Sequence, residues 1–164
     1  MDKTRIQKTF FILTRDLARL APDFDFRPDD CGPFSRALES ALQRLKDQGL
    51  VSYDNRSKYA KPVKLEEKGK RVCDADGKDL DKAIGDNLDE CIDLFEGLEH
   101  DEMLAFVGSM FPEMAVKSDE YGKRIKPNLQ AYVVNLIKKD KITTGRGAEL
   151  LKIPYIEMRN AVIN

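Results

Sequence analysis

Apolar residues recur at helical intervals along the first twenty positions. Ile6, Phe10, Leu13, Leu17 and Leu20 fall three or four apart, Phe11 and Ile12 broaden the stripe, and Lys3, Lys8, Arg15 and Arg19 occupy other faces. This pattern predicts an amphipathic helix over 3–20. Ala21-Pro22 should end it, because proline disfavours helix in the residue before it and has no amide to donate. The period then falls to two. DFDFR at 23–27 alternates apolar and charged, as a half-buried strand does, and PDDCGP at 28–33 reads as a loop.

A second helix follows. Ser35 is placed to cap it, with Glu39 one position beyond the capping-box spacing. Leu38, Ala41, Leu42 and Leu45 make the buried stripe, and Arg36, Arg44, Lys46 and Asp47 the polar positions. Gly49 supplies a left-handed C-terminal cap. LVSY at 50–53 reads as a strand, DNRSK at 54–58 as a turn-rich tip, YAKPVKL at 59–65 as a return strand and LEEKGKRVCD at 65–74 as a short helix. That element order is the order of a winged helix, in which one helix enters a groove and a hairpin tip meets the backbone.

Downstream, 76–98 predicts a helix or helix pair with Leu80, Ala83, Ile84, Leu88, Cys91, Ile92 and Phe95 as its stripe. Residues 101–110 predict another, with Met103, Leu104, Phe106 and Val107 inside and Phe111-Pro112 as its stop. Residues 113–128 read as a polar connector, and 129–137 as a helix burying Val133, Val134 and Ile137. In the last segment Thr143 or Thr144 caps a helix through Leu151. A turn at 152–155 leads to a final helix from Ile156, and Ala148 is the small residue where the two would cross. Lys152 stands where such a turn usually has glycine, and a left-handed position costs a lysine about 1 kcal/mol.

Charge sharpens the division. Residues 1–75 carry a net +4, residues 76–120 a net -11 and residues 121–164 a net +6. Two basic ends around an acidic middle fit an anionic partner for the ends, or pairing of ends with middle inside the chain. Hydrophobic residues make up 41% of the 164, enough for a packed core. No apolar run approaches the roughly 18 residues that span a bilayer, and the first twenty residues are too charged for a signal peptide. A cytoplasmic protein with no membrane contact is the expectation. Cys31, Cys73 and Cys91 are odd in number and far apart, so they support neither a disulfide framework nor a zinc knuckle.

Catalytic chemistry finds little support. His100 is the one histidine, placed among acids at a helix start where it reads as a surface or capping residue. GRG at 145–147 lacks the lysine and spacing of a phosphate loop. The carboxylates are too evenly spread to nominate an acid/base pair. The expectation is no enzyme, no cofactor and no metal. Basic groups near turns are better represented: Ser35, Arg36, Arg44 and Lys46 on or beside the second helix, and Arg56 and Lys58 at the hairpin tip. Such groups neutralise phosphates and give salt-sensitive binding. Arg146, Lys152 and Arg159 offer the same chemistry in the tail.

TRIQKTFFIL, CGPFSRALESALQRLKDQGLV and KLEEKGK resemble a group of bacterial and archaeal winged-helix proteins that includes relatives of the Panacea antitoxin domain. The counterparts here are Gln7, Lys8, Gly32, Pro33, Phe34, Ser35, Gly49 and Leu50. LAFVGSMFPEMAVKS is similar to a downstream segment of the same group, so the resemblance covers residues 3–118. The tail over 138–162 resembles the end of small antitoxin-like proteins through Lys141, Ile142, Thr143, Ala148, Glu149, Leu150 and Leu151, with Gly147 where an alanine is usual. Both resemblances imply a regulator or a toxin partner.

The expected fold is therefore mainly α with a small β wing. A winged helix over 1–75 is followed by an acidic helical region over 76–120 and a basic helical tail over 121–164 with a helix-turn-helix-like end. The expected function is a DNA-binding transcriptional regulator or antitoxin-type repressor, acting on DNA as a homodimer. The alternative is an interaction module, an antitoxin or adaptor, that binds a partner protein such as a toxin without touching DNA.

Overall fold

The first helix, α1 (Lys3–Asp16), opens on Asp2, whose carboxylate accepts the Arg5 amide at 2.8 Å. In the computed structural model, which describes residues 1–54, 62–76 and 81–163, this helix stops short of the predicted end. Leu17 leaves helical geometry at φ −112° and ψ 78°, and a 3-10 helix, Ala18–Asp23, carries Pro22. The bend has a packing reason. It returns the chain so that Phe24 lies 5.5 Å from Phe10 and Phe26 lies 5.4 Å from Phe11, ring centre to ring centre. Phe11, Ile12 and Leu13 are buried and Ile6, Phe10 and Leu17 are half-buried, so the core-facing arc lies one position along from the predicted stripe.

Strands β1 (Phe26–Asp29) and β2 (Gly32–Ser35) form a two-stranded sheet. The predicted loop 28–33 is thus mostly strand. Its Pro, Asp and Gly residues make the sharp reversal of a hairpin, with Asp29 Oδ1 accepting the Asp30 amide and Gly32 at φ +88°. Ser35 then caps α2 (Arg36–Asp47) as predicted, its hydroxyl accepting the Leu38 amide at 3.2 Å. Leu38 and Leu42 are buried, but Leu45, expected in the stripe, is 38% exposed. Gly49, at φ +68°, ends the helix with paired bonds from its own amide to Lys46 O and from the Leu50 amide to Leu45 O.

Strand β3 (Val51–Ser52) pairs antiparallel with β4 (Lys64–Leu65), Val51 opposite Leu65 and Ser52 opposite Lys64. The predicted tip residues Arg56 and Lys58 lie outside the described residues, as does Leu80. The return arm is fastened to the start of the chain: Val63 N–H donates to Met1 O at 2.8 Å and Pro62 bridges Asp2. Helix α3 (Glu67–Asp76) follows, then α4 (Lys82–Phe95). Asp81 caps α4 through the Ala83 amide and binds Arg19 at 2.7 Å, which holds its carboxyl below the usual range. Of the predicted stripe, Cys91 and Phe95 are buried, Ile84, Leu88 and Ile92 are half-buried, and Ala83 is exposed.

The chain forms two compact units, one of Met1–Phe26 with Phe34–Asp93, the other of Arg27–Pro33 with Leu94–Asn164. The later boundary falls within α4, inside the acidic stretch. In the second unit α5 (His100–Met110) buries Met103, Leu104, Ala105, Phe106 and Val107, and Phe106 meets Phe95 edge-on at 5.9 Å. The predicted connector 113–128 is a series of short helical turns, Pro112–Met114, Tyr121–Ile125 and Lys126–Asn128. It supplies core as well: Ile125 is fully buried against Leu104 and Ala105.

Helices α6 (Leu129–Lys138), α7 (Thr144–Leu151) and α8 (Tyr155–Ile163) close the unit around Val133, Ile137, Ala148 and Met158. Ala148 sits in this cluster as its spacing predicts, but the tightest approach is one residue earlier. A Cβ on Gly147 would stand 2.6 Å from Ile137 Cδ1 and 3.1 Å from Val133 Cγ1. Lys152 adopts the left-handed conformation, φ 56° and ψ 41°. The Lys152 amide bonds Glu149 O and the Ile153 amide bonds Ala148 O, so the turn is made without glycine. Among the described residues no helix is long and apolar enough to cross a membrane.

Candidate nucleic-acid interface

The entrance to α2 is set by one side chain. Gln7, 97% buried in α1, donates through Nε2 to Ser35 O at 3.1 Å and accepts the Ser35 amide on Oε1 at 2.9 Å. A carboxamide that pairs with both backbone groups of one residue fixes its plane, because both bonds fail outside a narrow range of angle. Ser35 is fully buried and its hydroxyl caps the helix. It therefore aims α2 and is not available to a ligand.

Arg36 and Arg44 are both exposed, and neither pairs with a described carboxylate. Eight residues of α-helix separate them by about 12 Å along the axis and about 80° around it, on one side of α2 with Ser40 between. Lys46 is elsewhere. It lies two residues beyond Arg44, about 200° further round, and its ammonium donates to Tyr53 O at 2.8 Å. The structure thus brings Arg36 and Arg44 together, buries Ser35 and turns Lys46 inward.

Sequence reasoning places Tyr53 beside the hairpin tip without a role; it is 8% exposed, just after β3. Its ring lies 4.4 Å from the Lys46 ammonium and 4.9 Å from that of Lys3, and its hydroxyl donates to Gln43 at 3.3 Å. Burial pushes the hydroxyl pKa up, against the pull of Lys3. Lys3 is itself bonded to Glu39 of α2. An aromatic next to a turn gave no signal that two lysines converge on it.

In the second unit, charge is partly consumed within the fold. Arg124 binds Asp101 at 2.8 Å, and Lys139 binds the buried Glu102, which also accepts the Glu99 amide. Tyr132 donates to Asp101 at 3.1 Å, and burial together with that carboxylate raises its pKa. His100 Nε2 lies 3.4 Å from Glu120. Basic tail and acidic middle therefore pair in part, the second of the two outcomes their charges allow. Arg146 is engaged by Glu149 and by Met110 Sδ, whereas Lys152 and Arg159 are exposed. Among the described residues no three His, Cys, Asp or Glu side chains gather as metal ligands would. No protein-family model matches the chain, and no curated protein matches it.

Proposed function

We propose that this chain is a DNA-binding regulator, or a repressor of antitoxin type, whose first unit works as a winged helix. In this reading α2 is the recognition helix and the β3–β4 hairpin is the wing. The observation that carries it is the pair Arg36 and Arg44, exposed on one side of a helix whose entrance is locked by Gln7 and Ser35. Their exposure on one side of α2 suits a helix lying in a major groove, which is wide enough to admit an α-helix. Guanidinium groups there neutralise phosphates or read guanine edges.

The test is binding of the full chain to a duplex from its own upstream region and to an unrelated duplex, at about 50 and 200 mM salt. Tighter binding to the upstream duplex, weakened by salt, is expected. Affinity for neither duplex, or affinity indifferent to salt, overturns the reading. Replacing both Arg36 and Arg44 by Gln should flatten the salt dependence by close to two phosphate contacts.

A second reading, a protein-binding module that touches no DNA, is favoured by one observation. Helix α8 presents Tyr155, Ile156 and Ile163, more than half exposed, on one side together with Arg159. A chain that binds a protein partner through α8 while ignoring both duplexes would establish it.

A further inference from the structure

We infer that Lys46 and Tyr53 form a clamp that holds the β3–β4 hairpin against α2, and that Lys46 positions the interface without contacting nucleic acid. The inference rests on the DNA reading for its consequence, though its geometry stands by itself. Lys46 belongs by sequence to the basic set of α2, but it stands about 160° around the helix from Arg44, and Tyr53 takes up its ammonium. Among the described residues the ammonium reaches Tyr53 twice: the carbonyl oxygen at 2.8 Å and the ring at 4.4 Å.

One residue thus receives contacts from two helices. Lys46 and Gln43 of α2 take the carbonyl, the ring and the hydroxyl of Tyr53, and Lys3 of α1 takes the ring. Two ammonium groups near one ring would repel each other in an apolar site. Here the ring's negative face attracts both, the Tyr53 carbonyl satisfies one, and the Glu39 carboxylate neutralises the other. The opposite arm of the hairpin is tied at the same level, by Val63 to Met1 and by Pro62 to Asp2. The hairpin is therefore fastened on both arms, and α2 carries one of the fastenings. An ammonium held against a carbonyl and a ring is drawn away from a phosphate, which is the basis of the expected salt behaviour below.

Two measurements separate the clamp from a phosphate contact. The first is NMR of the lysine ε-methylene protons in the wild-type chain. Those of Lys46 and Lys3 should lie upfield, shifted by the Tyr53 ring, and should return to ordinary positions in Tyr53→Leu but not in Tyr53→Phe. Ordinary positions in the wild type overturn the clamp without any variant having to fold. The second is the salt dependence of binding to the upstream duplex. Arg44→Gln should lower the slope of log affinity against log salt by about 0.9. Lys46→Met should weaken binding about tenfold and leave the slope as in the wild type. A slope reduced in Lys46→Met as much as in Arg44→Gln makes Lys46 a phosphate contact and overturns the inference. If the wild type shows no salt-sensitive DNA binding, the DNA reading falls, and the methylene shifts alone decide the clamp.

Discussion

The two units set their helices by different chemistry. The approach to α2 is governed by polar bonds: Gln7 to both backbone groups of Ser35, the Ser35 hydroxyl to Leu38, and Lys46 to Tyr53. The corner between α7 and α8 is governed by apolar contact, with Gly147 and Ala148 against Val133, Ile137 and a fully buried Met158. Apolar burial is non-directional and scales with area, whereas a hydrogen bond fails outside a narrow geometry. The first arrangement aims a helix. The second resists its removal, and leaves the outward side of α8 unconstrained.

The largest effect should come from the apolar side of this contrast. Met158→Ala removes a fully buried side chain shared by three helices and should cost about 2–5 kcal/mol, read from chemical denaturation. A loss under about 1 kcal/mol would mean that the corner collapses to refill the space. On the polar side, Gln7→Leu leaves the Ser35 amide and carbonyl without their partner, at about 1–3 kcal/mol for each orphaned group. The same variant should weaken DNA binding by more than its loss of stability explains, since α2 loses its aim. Equal effects of both variants on binding would erase the distinction.

A smaller effect tests the turns. The left-handed ends of α2 and α7 share one bond pattern but use Gly49 and Lys152. Lys152→Gly should stabilise by about 1 kcal/mol by removing a side-chain clash with the following carbonyl, measured as a raised denaturation midpoint. The smallest effect at neutral pH concerns thiols. Burial, with the nearby Asp16 and Glu90 charges, holds the Cys91 thiol at about 11 against its ordinary 9.0, while Cys73 is exposed on α3. A disulfide reagent at pH 8 should modify Cys73 at once and Cys91 only on unfolding. Because the folded state favours the neutral thiol, its contribution to stability is complete below pH 9 and fades as pH rises through 11. Rapid reaction of both thiols at pH 8 would show that α4 opens readily around Cys91.

The legible elements were those with one buried face and a distinct cap. Helix α2 shows Ser35 before it and Gly49 after it, and α7 shows Thr143, whose hydroxyl accepts the Arg146 amide at 3.1 Å. The illegible ones had no period to show. In the turns over 112–128 three residues are buried, Ala115, Ser118 and Ile125, and only Ile125 is a large apolar side chain, so no apolar period shows. The end of α1 was misplaced because proline marks where a helix must stop, whereas the pull of Phe24 onto Phe10 stops it sooner. At the site, the exposure of Arg36 and Arg44 followed from helical spacing. The inward turn of Lys46 did not, since composition assigns every lysine to solvent and only the ring of Tyr53 gives this one another place.

The left-handed turns at Gly49, Asp140 and Lys152 have a consequence for the timing of proton loss. In each, the amide of the residue after the left-handed one bonds backward: Leu50 to Leu45, Lys141 to Leu136, Ile153 to Ala148. Those three amides lie outside α2, α6 and α7 by backbone angle, yet they cannot exchange with solvent until the helix end unwinds. A protection map in deuterated water would therefore draw all three helices longer than their dihedrals do. The fraying that usually sets in at a C-terminus would begin at these bonds, and the left-handed residue would set its rate.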